Sequence, residues 1–95
     1  KFNMDITKIF EKIIKKLKSE NSLPKNLKVN DKTLLTGPNS PFDSVAFVQF
    51  SSHVEFELSQ ANKKNFSIMI FKIPEIKNNK PLTIGGLKKY LKGKI

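Results

Sequence analysis

The sequence predicts an all-α fold in a single domain over residues 1–95. Three observations predict it. Apolar residues recur with helical spacing over residues 4–20, no Gly or Pro interrupts residues 43–73, and a helical pattern follows Pro81. A chain of 95 residues can build one modest core, and 38% hydrophobic residues with eight Phe are typical of a chain that folds.

The first predicted helix covers residues 4–20 and is amphipathic. Its apolar residues share one face: Ile6, Ile9, Phe10, Ile13, Ile14 and Leu17. Asp5 at its start and lysines at its end suit the helix dipole. Two interpretations are open: a basic helix lying on a membrane, or a surface helix that buries its apolar face in a bundle, which we favour.

Residues 21–42 lack a sustained pattern and predict a long ordered loop. Its turn-forming residues are Pro24, Gly37, Pro38 and Pro41, with Asn and Ser between them. Its expected core anchors are Leu27, Val29, Leu34 and Leu35. A loop of this length is often functional.

The second predicted helix covers residues 43–60. Asp43 and Ser44 mark its start, because either side chain can cap free amide groups. Residues 54–58 alternate as a strand would, so the periodicity alone is ambiguous. A helical stripe also fits, and it decides our prediction of a helix: Phe47, Phe50, Val54 and Leu58, flanked by Val48 and Ser51.

The rest of the chain predicts a connector with a short helix over residues 66–81 and a last helix over 83–93. Residues 66–73 favour a strand on composition alone, while Pro74 and Pro81 bracket one or two helical turns. Thr83 is the expected cap of the last helix. Its apolar residues are Ile84, Leu87, Tyr90 and Leu91.

The charge lies at the two ends of the chain. Eighteen Lys, no Arg and eight acidic residues give +10, divided as +5 over residues 1–32, −3 over 33–62 and +8 over 63–95. The middle segment has no Lys and contains four of the eight Phe, and seven of the eight lie outside the first predicted helix. Because nucleic-acid readers usually use Arg and place aromatics among basic residues, we expect no specific nucleic-acid binding.

This chain lacks the residues that several classes of protein require. There is no Cys, and His53 is the one His, so thiolate chemistry, a zinc site and a catalytic triad are not expected. We expect His53 to be a surface or partly buried residue. The longest apolar run, residues 68–71, predicts no membrane span. With no apolar leader visible, we expect a cytoplasmic protein whose native start is Met4 and whose residues 1–3 are an expression remnant.

The order of these elements resembles the acyl carrier protein family over roughly residues 4–93. Residues 42–45, Phe-Asp-Ser-Val, look like the family's attachment motif at the start of the second helix. Residues 48–58 end in an acidic, apolar stretch similar to its recognition helix, 66–70 look like the connector, and 82–91 resemble the closing helix. The resemblance implies a four-helix bundle with a long loop between helices 1 and 2.

The resemblance also implies a function. Ser44 would carry 4′-phosphopantetheine, attached when its hydroxyl attacks the pyrophosphate of coenzyme A; a phosphodiester forms, the pyrophosphate bond breaks and the adenosine bisphosphate half leaves. Asp43 would cap the helix and help a phosphopantetheinyl transferase to recognise the site. The arm supplies a thiol to which acyl or aminoacyl groups are attached as thioesters. The partners implied are that transferase and the activating and acyl-transferring enzymes of lipid or secondary metabolite synthesis, and the chain itself would not be an enzyme.

The net charge of this chain differs from that of typical members of the family. Typical carriers are acidic, whereas this one is +10, and Ala46, Phe47 and Gln49 replace the usual acids after the serine. We therefore expect a dedicated partner that binds a more apolar surface. The expected partner-binding residues are Val45, Phe47, Val48 and Glu55.

Two other readings remain. One is a small basic module that binds nucleic acid or an anionic surface through the Lys-rich ends, for which affinity would fall with salt. The other is a carrier-like scaffold that is never modified.

Overall fold

A computed structural model describes residues 6–62, 67–68 and 70–94. Within these ranges the chain forms helices and no strand, which confirms the all-α class. A short 3₁₀ turn, Ile70–Lys72, comes before the third helix. The four α-helices are α1 (Ile6–Ser19), α2 (Ser44–Asn62), α3 (Pro74–Lys77) and α4 (Ile84–Lys92).

Each helix lies close to its predicted position. The alternation at residues 54–58 belongs to the middle of α2, so the helical stripe was the correct interpretation there. The short helix between the two prolines is α3. The strand-like composition of residues 66–73 falls partly outside the described residues, and the described part contains the 3₁₀ turn.

Helix α1 buries its apolar stripe in the core. Five of the six predicted positions are buried: Ile6, Phe10, Ile13, Ile14 and Leu17. Ile9 is half-buried and packs against the same cluster. Because burying one such side chain contributes about 1.5–3 kcal/mol, this face holds α1 on the protein. The prediction that α1 buries its apolar face in the protein is therefore confirmed.

Helix α2 contributes a narrower buried stripe, with Ala46, Phe50, Val54 and Leu58 spaced four residues apart. The ring of Phe50 is the meeting point of three elements. The Phe10 ring of α1 packs edge-on against it, with centroids 5.0 Å apart, and Phe42 does so at 5.6 Å. Such edge-to-face pairs contribute about 0.5–1.5 kcal/mol beyond the area that they bury.

The long loop is fixed by backbone hydrogen bonds to the segment that leads into α4. Leu35 N donates to the carbonyl of Leu82 at 2.6 Å, and Ile84 N donates to the carbonyl of Thr33 at 2.9 Å. The amide of Leu82 also donates to Thr36 Oγ1 at 2.9 Å. We call the contacts between residues 31–36 and 82–85 the loop clamp. It makes the loop an ordered part of the core.

The loop also supplies core side chains. Leu35 is fully buried, as expected, while Leu27 and Val29 are half-buried against the core. The prediction that Leu34 is a core anchor is wrong. It is half-buried, lies outside the core cluster and forms an isolated antiparallel bridge with Thr83. Two anchors that the sequence did not reveal are Leu23 and Phe42.

Helix α4 begins as the sequence predicts. Thr83 is its N-cap, and its hydroxyl oxygen accepts a hydrogen bond from Gly86 N at 3.0 Å. Next to it the loop passes very close to Gly85, whose amide donates to the carbonyl of Asp31 at 2.8 Å. A Cβ on Gly85 would lie only 3.0 Å from that carbonyl oxygen. Glycine at this position therefore permits the loop clamp to close.

We expect Gly85→Ala to lower the free energy of unfolding by about 1–2 kcal/mol, because the added methyl group pushes Asp31 and stretches the loop clamp. Urea denaturation measures the change. Gly93→Ala is the matched control: its new Cβ would meet Tyr90 O at 3.5 Å, an ordinary contact, and its φ of −75° suits alanine. Equal stability of the two variants would contradict the role assigned to Gly85.

Candidate functional site

The loop delivers the chain to the start of α2 in a fixed position. Ser40 Oγ donates to the carbonyl of Leu34 at 2.7 Å and accepts from the amide of Phe42 at 2.9 Å. Phe42 is buried against Phe50. Asp43, which follows Phe42, is therefore held at a defined position on the surface.

Asp43 caps α2. Its Oδ1 accepts a hydrogen bond from the amide of Ala46 at 2.7 Å, and its carbonyl accepts from the amide of Phe47 at 2.9 Å. The carboxylate also lies at the positive end of the helix dipole. Of the two residues that could cap this helix by type, Asp43 performs the capping.

Ser44 is the first residue of α2 and is exposed. Since Asp43 provides the cap, the hydroxyl of Ser44 is left on the surface at the helix start. The first backbone N–H groups of a helix have no acceptor within the helix and point outward at its N-terminus. Together with the dipole, they make this end of α2 favourable for a negatively charged group attached to Ser44.

The expected partner-binding residues face in three directions. Val45 and Val48 point into solvent, with 64% and 55% of their surface exposed. Phe47 is half-buried and packs against the core. Glu55 is half-buried, and its Oε2 accepts a hydrogen bond from the amide of Ile68 at 2.5 Å. The two valines therefore form an exposed apolar surface beside Ser44, while Glu55 ties the connector to α2.

An apolar groove of about 370 Å³ begins at Phe47, one helical turn after Ser44. Three parts of the chain form its walls: the loop, the segment around α3, and α2. The residues that give it an apolar character are Pro38, Phe47, Ile70, Ile76 and Pro81. The sequence did not predict the groove, because its walls are far apart in the chain; the turn residues at 37–38 and Pro81 were the only local signals.

His53 and Glu57 lie on the part of α2 that faces α1. His53 is half-buried, which agrees with the prediction of a surface or partly buried residue. Glu57 pairs with Lys12 at 3.1 Å, an exposed contact that contributes at most about 1 kcal/mol. Nowhere in the described ranges do three His, Asp or Glu side chains come close enough together to hold a metal ion.

Comparisons with protein-family models, with curated proteins and with solved structures return no match for this chain. None of the helices in the described ranges is long and apolar enough to cross a membrane. Functional inference therefore depends on the geometry at the start of α2 and on the sequence motif around it.

We expect Asp43→Ala to lower the free energy of unfolding by about 1 kcal/mol, because the amide of Ala46 loses its partner. Ser44→Ala should leave stability within about 0.5 kcal/mol, since the exposed hydroxyl takes no part in the cap. Urea denaturation of both variants measures the difference. A loss for Ser44→Ala as large as that for Asp43→Ala would show that the fold itself needs this hydroxyl.

Proposed function

We propose that this chain is a carrier protein in which Ser44 is the attachment residue for a 4′-phosphopantetheine arm. The observation that carries the proposal is that Asp43 and Ser44 have different roles at the start of α2. Asp43 caps the helix, and the adjacent Ser44 presents a hydroxyl that the fold does not use. The motif around these residues, Phe-Asp-Ser-Val, supports the same assignment.

The residues at this position fit the group. Ser44 is exposed, so a transferase can reach its oxygen. The phosphodiester formed there would lie near the first amides of α2 and the positive end of its dipole. The arm supplies the thiol on which acyl or aminoacyl groups are carried as thioesters, in a chain that has no Cys.

The surroundings of Ser44 suit an apolar cargo and an apolar partner surface. The groove that starts at Phe47 offers apolar side chains one turn from the attachment residue. Val45 and Val48 offer a further exposed apolar surface on the same helix. In this proposal the chain is not an enzyme: the transferase and the acyl-transferring enzymes bind it and perform the chemistry.

We expect incubation with coenzyme A and a broad-specificity phosphopantetheinyl transferase to add one phosphopantetheine increment to the protein. Intact mass spectrometry measures the increment, and peptide mapping should place it on Ser44. Ser44→Ala should gain none. Ser52→Ala is the matched control, because Ser52 is also exposed on α2 and should leave the modification unchanged.

An increment that persists in Ser44→Ala would remove Ser44 as the attachment residue. A folded sample that gains no increment from several transferases would favour a carrier-like scaffold that is never modified. Circular dichroism of the same samples establishes that each variant is folded.

We expect Val48→Glu to lower kcat/KM of the transferase reaction by about tenfold, because it places a charge on the apolar contact surface beside Ser44. Gln60→Glu makes the same change in charge at another exposed position of α2 and should have little effect. Stopped mass-spectrometric time courses give both rates. Equal rates for the two variants would exclude Val48 from the partner surface.

A further inference from the structure

The most exposed of the large apolar side chains in the described ranges is Phe71, with 85% of its surface accessible. It lies in the middle of the 3₁₀ turn Ile70–Lys72. The other three large apolar residues that are exposed, Val45, Val48 and Phe56, all belong to α2, which has no Lys. Phe71 differs from them because it lies in a strongly basic segment.

The turn that carries Phe71 is attached to the protein on both sides. Ile73 is fully buried and its amide donates to the carbonyl of Ile70 at 3.1 Å. Ile70 is half-buried and lines the apolar groove. Because the residues around Phe71 are anchored, its ring is held outward by a fixed turn.

Three exposed lysines lie on this turn or shortly after it in the chain. Lys72 follows Phe71 directly, Lys77 ends α3, and Lys80 lines the same groove as Ile70. We call Phe71 with these three lysines the Phe71 surface. Residues 70–94 contain seven Lys and a single acid, Glu75. Glu75 is half-buried, and its Oε2 lies 2.9 Å from where a Cβ of Gly86 would be, so it faces α4.

We propose that the Phe71 surface docks this protein on an anionic phospholipid bilayer, with the Phe71 ring entering the interface and the lysines contacting lipid headgroups. A protruding apolar side chain in a segment of exposed lysines matches both properties of such a surface: the apolar acyl chains of the bilayer interior and the negative charge of its headgroups. The docking does not depend on modification of Ser44, which belongs to a different helix.

A bilayer fits these observations better than a nucleic acid does. Single-stranded nucleic acid is bound along grooves in which several aromatic rings stack on successive bases. Here one ring protrudes among the described basic residues of the segment, and the whole chain has no Arg to pair with phosphates or bases. Lysines around a single apolar side chain are sufficient for a bilayer, which requires charge and insertion without base recognition.

The test is cosedimentation of the full chain with vesicles of phosphatidylcholine that contain about one-third phosphatidylglycerol, and with vesicles of phosphatidylcholine alone. We expect binding to the anionic vesicles that weakens as salt is added, and little binding to the neutral ones. Phe71→Ser should weaken binding about tenfold. Phe56→Ser is the matched control, since it removes an exposed Phe from the Lys-free α2 and should change binding less than about twofold.

Two triple variants that remove the same charge from different places test whether the position of the lysines matters. The triple variant Lys72→Gln, Lys77→Gln and Lys80→Gln should weaken binding by about a hundredfold, or about fivefold for each lysine. Its control removes the same charge from the loop: Lys25→Gln, Lys28→Gln and Lys32→Gln, all exposed. The control should cost far less, because these lysines lie on another part of the chain.

Three results would overturn the proposal. The first is absence of binding to the anionic vesicles at low salt. The second is equal loss in the two triple variants, or no loss in Phe71→Ser, because binding would then follow the total charge of the protein. The third is tighter binding to a single-stranded oligonucleotide that also depends on Phe71, which would assign the surface to nucleic acid.

Discussion

The loop clamp is the constraint on which the rest of the structure depends. Residues 21–42 would be costly to order by themselves, since each fixed residue loses about 1–2 kcal/mol of backbone entropy. Leu35 and Leu82 are fully buried, so their amides must find partners or cost about 1–3 kcal/mol each. The partners are Leu82 O for the first and Thr36 Oγ1 for the second. Gly85 lets the two segments approach closely enough for these bonds to form.

The clamp has a consequence at the other end of the loop. After it the chain turns at Gly37, whose φ of 99° suits glycine, and Ser40 and Phe42 then fix the last step before α2. Ser44 is thus presented by a structure that does not use its hydroxyl. The two surfaces that we assign to function, the start of α2 and the Phe71 surface, lie on separate elements. The middle of the chain has no Lys, while the basic charge lies at its two ends. A partner at Ser44 would therefore contact a segment without lysines, and an anionic bilayer would contact a basic one.

Much of this fold could be predicted from periodicity, and the failures have physical reasons. The stripe of α1 is visible because its opposite face is lysine, whereas α2 is apolar on several faces, with Val48 and Phe56 exposed, so a strand was also compatible. The sequence could identify Asp43 and Ser44 as capping residues, but both types cap, and only the hydrogen bond to Ala46 distinguishes them. The loop clamp joins residues about fifty positions apart in the chain, mainly through backbone groups. No side-chain pattern reveals it, and the groove beside Phe47 was missed for the same reason.

In this structure the loop is as firmly ordered as the helices, so that Ser44 is presented at a fixed position. Native-state hydrogen exchange tests it directly, because protection reports the free energy needed to open each amide. We expect the amides of Leu35 and Ile84 to exchange nearly as slowly as that of Phe50 in the centre of α2. Rapid exchange at Leu35 and Ile84, with Phe50 still protected, would show that the loop opens independently of the core and does not hold Ser44 in a fixed position.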